Sequence, residues 1–591
     1  MQALIDFCDP HGQQPALRCA FDEPQHTLVA HTLDQVQPLL DQVEQLAQQG
    51  LWCVGYLRYE AAPAFDATLA VHAAEGPLAW FGIYTQPLVW PTFKLTEDKD
   101  ETKVQWHSQM ARAEFDAGMA GIHQSIAAGQ FYQLNYTAPC LGDFSGDPHL
   151  LFERLRRAQP IGYNAFIDTG HEHILSVSPE LFFDWHNGQL LTRPMKGTAP
   201  RGNTSDEDEA SALALQHSAK ERAENVMIVD LLRNDVSRIA QPYSVTVPRL
   251  FDVLTLPTVM QMTSDVVART RQGIRLREVF GALFPCGSVT GAPKVQAMHT
   301  IKSLEPRPRG VYCGAIGVVR PGGHATFNVA IRTVTLRGHR AICGIGSGIT
   351  ADATADAEWQ EWQTKRGFLA RASQAFNLLE TLRLERGQFH LLDRHLARLK
   401  RAAHHFGYPF DEANIRLVLT DLQEGTTRKQ SEHKGDAGPW RVRLQLNEQG
   451  EAHAELFELN STPTLVNIAL AATYFEASHS EFTRFKTTHR THYDAAAPGD
   501  PSVYDTLLFN DQGELTEFTR GNVAVLMNGN WWTPPLHCGL LDGVGRAQCL
   551  AEGRLHEAVI TLDDLTKAQS LAFINSLRGW VDARLVPRTL A

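Results

Sequence analysis

The feature that most limits the fold is how hydrophobic alternation is spread along the chain. Runs such as "HILSVSPELFFDW" (His173–Trp185) and "ATFNVAIRTVTL" (Ala325–Leu336) show the period-two pattern of strands. Helical runs such as "FDAGMAGIHQSIAAG" and "SAKERAENVMIVDLLRND" lie among them, but not in the strict strand–helix–strand order of βαβ units. The pattern predicts an α+β chain with mainly antiparallel sheets. Near residues 370–375 the texture changes. The helical "AEWQEWQTKRGFLARASQAF" gives way to "NLLETLRLERGQFHLL", two strand-like runs around a glycine turn. This predicts one domain over 1–372 and a smaller α+β domain over 373–591. The polar stretch "QEGTTRKQSEHKGDAGP" (Gln423–Pro439) reads as a flexible loop inside the second domain, followed by the strand-like "WRVRLQL".

With 591 residues the chain is long enough for two to four domains. Its 43% hydrophobic and 20% charged residues are those of a globular protein. A net charge of −12 and the lack of any basic run argue against nucleic acid or an anionic membrane as partner. An anionic substrate would therefore need a local positive site. The nine cysteines show no CxxC pair and no zinc spacing, which fits free thiols in a reducing cytosol. The first residues carry early acids and no apolar core of a signal peptide, and no apolar run reaches membrane length. A cytoplasmic protein is expected.

Several motifs carry chemistry. Glu221 and Glu224 in "KERAENVMIVDLLRND" share one helical face, as do Glu358 and Glu361 in "AEWQEWQTK". Either pair alone is ordinary surface charge, but two converging pairs would suit a hard cation such as Mg²⁺. Lys365 lies one turn beyond Glu361, where it can be an i,i+4 ion-pair partner or an anion-binding cation. The loops "FPCGSVTGAPK" and "GIGSGI" carry glycines that let backbone N–H groups approach a carboxylate, and neither fits a P-loop or dinucleotide fingerprint. Arg332, in the apolar "FNVAIRTV", needs a partner or a ligand. Lys196 sits in "RPMKGTAPRG" (Arg193–Gly202), too broken for a helix. In the second domain Lys486 precedes two threonines in "TRFKTTHRTHY", Glu517 precedes Gly521-Asn522, where a turn could offer N–H groups to phosphate, and Arg398 rides an amphipathic helix.

"GYLRYEAAPAFD", "GQFYQLNYT", "SPELFF", "RPMKGTAPRG", "ERAENVMIVDLLRND", "GSVTGAPKVQAM", "RGVYCGAIG", "NVAIRTV" and "GIGSGITAD…EWQEWQTK" occur in the order seen in chorismate-utilising enzymes. The first 370 residues resemble the aminodeoxychorismate synthase component I / anthranilate synthase component I family. Within it, a lysine at Lys196 resembles the branch that places ammonia at C4 of chorismate, whereas anthranilate synthases typically carry alanine there. Gln133 stands where isochorismate-forming relatives usually have a lysine. The resemblance implies Lys196 as nucleophile at C2 and Glu180 as general acid on the C4 hydroxyl. It also implies Mg²⁺ on Glu221, Glu224, Glu358 and Glu361, and substrate contacts from Arg332, Lys365, Tyr312, Thr198, Thr290 and the Gly346 backbone. Asn225 and Asp230 are expected to be structural. His299 and Ser347 depart from the family pattern, which has Glu and Gly there. No GxCxG elbow of a glutamine amidotransferase occurs, so a separate subunit is expected to supply ammonia.

Residues 375–591 resemble the fold-type IV pyridoxal-phosphate enzymes, a two-lobed α+β group that includes aminotransferases and aminodeoxychorismate lyase. The resemblance implies Lys486 as the Schiff-base lysine, Glu517 at the pyridine nitrogen, and Arg398 with Asn522 at the phosphate. Arg490 and Tyr493 become candidate substrate contacts, and a homodimer through this domain is conceivable. Consecutive chemistry on one chain implies amination of chorismate followed by loss of pyruvate to give 4-aminobenzoate. The competing readings are anthranilate synthase component I fused to an aminotransferase, and a non-catalytic regulator binding chorismate or pyridoxal phosphate (PLP).

Overall fold

In a computed structural model the described residues are 1–91, 102–107, 110–160, 162–200, 205–255, 259–432, 439–478 and 480–586, without the side chains of 200, 205–207 and 425–432. They form two compact units, Met1–Ala375 and Phe376–Ala591. Among the described residues no helix is long and apolar enough to cross a membrane.

The first unit is built on two large sheets. One has nine strands, with Gln133–Ser145, Arg340–Ile349, Thr333–Arg337, His173–Ser178, Tyr163–Asp168, Ala3–Phe7 and Leu17–Phe21 adjacent in that order. The other has ten, running from Met195–Pro200 through Val259–Arg269, Gln189–Arg193, Leu181–His186, His324–Val329, Ala315–Arg320 and Trp52–Leu57 to Ala79–Tyr84 and His26–Ala30. The pairings are antiparallel, as the alternation predicts.

Both long alternating runs prove to be two strands in different sheets. "HILSVSPELFFDW" leaves the first sheet after Ser178 and enters the second at Leu181. Pro179 stands at the break, where its missing N–H cannot continue a ladder. "ATFNVAIRTVTL" makes the return crossing between Val329 and Thr333. The two crossings lie side by side: Val177 N–H donates to the Arg332 carbonyl at 3.1 Å, and Val329 N–H to the Glu180 carbonyl at 3.1 Å. Glu180 and Arg332 therefore stand where the chain steps between sheets.

Two helices complete this region. Ala219–Ser237 starts at an N-cap, Ser218, whose hydroxyl accepts from Glu221 N–H. Ala355–Ala372 starts at Thr354, which accepts from Ala357 N–H. Phe182, Phe183, Phe280, Phe284 and Phe327 pack ring against ring, fixing helix Leu276–Leu283 on the second sheet.

The second unit has a four-stranded antiparallel sheet, Gln388–Phe389, Leu378–Glu385, Trp440–Leu446 and Ala452–Glu458. Its other sheet has eight strands, with Leu465–Leu470 parallel to both Asp505–Phe509 and Gly579–Leu585. The expected loop at Gln423–Pro439 is corrected in its first part. Helix Glu412–Glu432 runs through it, since Gln423–Glu432 holds good helix formers and no proline. Residues 433–438 lie outside the described residues.

Candidate active sites

In the first unit, strand Arg340–Ile349 supplies the floor. Gly344, Gly346 and Gly348 alternate, so all three face one side of the sheet. With no side chains there, neighbours pack directly on the strand. A Cβ at Gly344 would lie 2.2 Å from the Tyr312 ring, and one at Gly346 would lie 2.3 Å from the Tyr136 carbonyl. A Cβ at Gly348 would lie 2.3 Å from Lys196 Nζ and 2.5 Å from Gln133 Nε2. The Lys196 amine and the Gln133 amide thus share the space over Gly348. Gln133 is fully buried, and neither its Nε2 nor its Oε1 has a hydrogen-bond partner among the described residues. A buried unsatisfied amide is costly, and its place is beside a ligand.

The backbone around Lys196 is held from both sides. Asn225 Nδ2 donates to its carbonyl at 3.4 Å, and Asn225 Oδ1 accepts from Ser264 at 2.6 Å. Gln261 Nε2 donates to the Gly197 carbonyl at 2.9 Å. Gly197 has φ +96°, and a Cβ there would come within 3.0 Å of a Glu221 carboxylate oxygen. Asp230 is far less buried and pairs with Arg233.

Glu180 is 3% exposed, and burial raises its carboxyl pKa to about 7 against the pull of the Ser288 hydroxyl and of Lys196. Ser288 donates to its Oε1 at 2.7 Å. Sequence reasoning marked the "GSVTG" loop for its glycines and missed this serine, whose partner is 108 residues away.

The four expected metal-binding carboxylates feel one another's charge. Burial raises Glu221, Glu224 and Glu358, with repulsion among the group adding to it. Burial also works to raise Glu361, but Lys365, Lys196 and Lys220 outweigh it and hold it low. Several oxygens are engaged. Lys365 Nζ sits 2.7 Å from Glu361 and donates to the Gly346 carbonyl at 3.0 Å, so the i,i+4 ion pair is the arrangement formed. Ser347 donates to Glu358 and accepts from the Trp362 indole N–H. Among the described residues no three His, Cys, Asp or Glu side chains are gathered closely enough to hold a metal ion. Four carboxylates from two helices fit a hard divalent cation in chemistry, with the cage still open.

Arg332 is half-buried at φ +48°. Burial and the neighbouring Arg371 push its pKa down to about 10, and its guanidinium donates to Gln159. Its planar fork suits a carboxylate ligand. Arg371 and Gln159 were missed in the sequence because each looks like helix-surface polarity. Tyr312 packs on Gly344 rather than Gly346, its phenol raised well above normal by burial. Thr290 turns its hydroxyl to the Cys286 carbonyl at 3.0 Å, and Thr198 is exposed and donates to Gln261. Thr290 thus serves its own loop, and Thr198 its pairing with the neighbouring strand. His299 is exposed on helix Lys294–Leu304.

In the second unit, burial, with Arg490 and Arg398 nearby, lowers the Lys486 amine to about 7. Glu517 is 3% exposed, and burial raises its carboxyl to about 8. Tyr493 donates to Glu517 Oε1 at 2.5 Å, while Arg490 lies 4.6 Å over the Tyr493 ring and donates to the Thr519 carbonyl. Arg398 makes a two-pronged pair with buried Glu380, at 2.8 and 2.7 Å, and reaches the Asp542 carbonyl at 3.1 Å. His395 Nδ1 closes on the same glutamate at 2.6 Å. The expected Gly521-Asn522 turn is shifted. Gly521 and Asn522 begin strand Gly521–Met527, paired with Phe518 and Glu517. Asn522 acts through its side chain instead, donating to the Leu541 carbonyl at 3.0 Å. A half-buried lysine of lowered pKa, a carboxyl of raised pKa and an arginine clamp fit pyridoxal phosphate.

Comparison with known proteins agrees with this geometry. Residues 6–371, more than half of the chain, match the chorismate binding enzyme family, and residues 377–586 match amino-transferase class IV. Aminodeoxychorismate synthase component 1 of Salmonella typhimurium is 39% identical over 293 residues, covering 50% of this chain and 63% of that protein. Anthranilate synthase component 1 of Aquifex aeolicus is 34% identical over 281 residues, covering 48% and 57%. The chain thus spans less than two thirds of the length of these relatives. Anthranilate synthase component I of Streptococcus pneumoniae superposes with a TM-score of 0.51 at 25% identity, covering 62% of this chain and 90% of that one. With residues 6–371 matched, the chain belongs to the chorismate binding enzyme family, and residues 377–586 form a class IV aminotransferase domain.

Proposed function

We propose that the chain makes 4-aminobenzoate from chorismate in two steps, one in each unit. The observation that carries the first step is the seat over Gly348, which holds Lys196 Nζ beside Gln133 with buried Glu180 near it in the field. Lys196 Nζ forms a bond to C2 of chorismate while the C4 hydroxyl departs with a proton from Glu180. A carboxyl with pKa about 7 retains that proton near neutrality. Ammonia then bonds to C4 and the lysine leaves C2, which yields 4-amino-4-deoxychorismate and water. Arg332 holds a substrate carboxylate. Glu221, Glu224, Glu358 and Glu361 would hold Mg²⁺, which supplies positive charge to a substrate carboxylate when bound. Lys196 is also what favours this reaction over anthranilate formation. A separate glutamine amidotransferase subunit supplies the ammonia.

In the second unit, PLP supplies an electron sink when bound. Arg398, kept in place by Glu380, takes the phosphate. Glu517, fixed by Tyr493, holds a proton at the pyridine nitrogen. Lys486, a free amine near neutrality, removes the C4 proton of 4-amino-4-deoxychorismate. Loss of pyruvate then leaves the aromatic amine.

Purified chain given chorismate, Mg²⁺ and ammonium should form 4-amino-4-deoxychorismate without PLP, and 4-aminobenzoate plus pyruvate with it. Formation of anthranilate refutes the first step. Accumulation of 4-amino-4-deoxychorismate despite PLP refutes the second.

A further inference from the structure

Two segments meet at the candidate active site of the first unit. One is strand Gln133–Ser145, whose first residue shares the space over Gly348 with Lys196. The other is the tight turn Gly287–Val289, whose Ser288 donates to Glu180. The segments run side by side. Asn135 N–H donates to the Thr290 carbonyl at 2.8 Å, and Gly291 and Ala292 pair with Leu134 and Gln133.

One side chain grips both. Arg309 donates from Nη1 to the Val289 carbonyl and from Nη2 to the Asn135 carbonyl, each at 2.7 Å. The other edge of the guanidinium holds Glu305, with Nε 2.8 Å from Oε2 and Nη2 2.7 Å from Oε1. Glu305 in turn accepts from Thr137 N–H and Oγ1 at 3.0 and 2.9 Å, so the pair is fastened to the strand twice. The Tyr59 ring lies against the guanidinium, 4.8 Å from its carbon.

The Arg309 and Glu305 side chains are 3% and 6% exposed. Stability alone does not ask for such a pair, since apolar residues of similar volume often serve as well or better. An apolar pair cannot hold two carbonyls of separate segments at a fixed separation, and a lysine lacks the planar fork. Val289 is the chain neighbour of Ser288, so the grip on its carbonyl sets where the serine hydroxyl stands. The other groups acting on Glu180 are Lys196, Lys365, the Met195 backbone and Cys286, whose thiol lies 3.2 Å from Ser288.

We propose that Arg309 is a positioning residue for the amination step: by tying the Val289 carbonyl to the Asn135 carbonyl it fixes Ser288 on Glu180, in register with the strand that carries Gln133. The consequence for rate rests on the chorismate reaction proposed above; the link from Arg309 to Glu180 does not.

Both links are testable on the full chain. Arg309→Lys keeps the charge but cannot span Glu305 and two carbonyls. With Ser288 loosened, the Glu180 carboxyl should titrate about 0.5–1 pH unit higher, the worth of one hydrogen bond. Infrared difference spectra across pH read this directly, the Glu180 band being the one missing in Glu180→Gln. Ser288→Ala should shift the band at least as far, and Arg309→Lys added to Ser288→Ala should shift it no further. In ammonium-dependent amination Arg309→Lys should lower kcat at least about tenfold and leave the KM for chorismate within about twofold. The double variant Arg309→Met/Glu305→Met removes the pair without leaving a buried charge, and it decides the matter if Arg309→Lys does not fold. A Glu180 band at its wild-type midpoint in the folded variant, or a shift that adds in full to that of Ser288→Ala, overturns the proposal. A shifted band with an unchanged kcat overturns the role in amination. A shifted band in a chain that forms no aminated product refutes the reaction and upholds the link from Arg309 to Glu180.

Discussion

Replacing Gly348 with alanine tests the placement of Lys196 with a single carbon. The added Cβ would lie 2.3 Å from Lys196 Nζ and 2.5 Å from Gln133 Nε2. Ordinary contact begins near 3.4 Å, so the amine must retreat by about 1 Å, a displacement of the size that costs ~100-fold when it moves a reacting group. Both obstructing atoms are side-chain ends rather than backbone, so the fold should tolerate the change. The expected result is a fall of roughly 100-fold in the kcat of ammonium-dependent chorismate amination, with a melting temperature within a few degrees of wild type. Conversion of supplied 4-amino-4-deoxychorismate by the second unit should be unaffected. Amination at the wild-type rate in a folded Gly348→Ala chain would refute the view that Lys196 reacts from its seat over Gly348.

Ser288→Ala removes a donor that holds the Glu180 carboxyl down, so that pKa rises beyond about 7. The alkaline limb of kcat/KM for chorismate should move to higher pH, and an unmoved limb means Glu180 is not the acid that sets it. For Lys486, the folded apo chain binds its proton only below about pH 7, whereas the unfolded chain binds it up to about 10.5. The unfolded state therefore holds more protons between those values, and stability should rise with pH across that window, by up to a few kcal/mol. Urea unfolding of PLP-free protein should lose this slope in Lys486→Met, and a retained slope assigns the titration to another group. Glu380→Ala leaves Arg398 as a buried charge without its carboxylate and should cost about 3–5 kcal/mol in unfolding of the second unit. PLP affinity, followed by absorbance, should fall with it; an unchanged affinity would show that Glu380 does not orient the phosphate clamp. Tyr493→Phe removes the hydrogen bond that lowers Glu517, whose pKa should then rise above about 8, read from the pH dependence of the bound cofactor's spectrum.

Much of this protein is determined by sequence alone. Alternation without βαβ order calls for antiparallel sheets, because period two sets which face each residue takes wherever the strand goes. Lys196, Lys486 and Glu517 are singled out by the family motifs they stand in, since their immediate neighbours alone also allow a surface-loop reading. What the period cannot say is which sheet a strand joins. Pro179 hints at a break, but only the tertiary structure splits the two long runs between sheets and sets the Glu180 crossing alongside the Arg332 crossing. Likewise, i,i+3 spacing puts Glu221 on a face with Glu224, yet their approach to Glu358 and Glu361 depends on how two distant helices pack. The roles of Ser288 and Arg309 were unreadable for the same reason. They come from partners 108 and 174 residues away, and from burial, which no local pattern encodes.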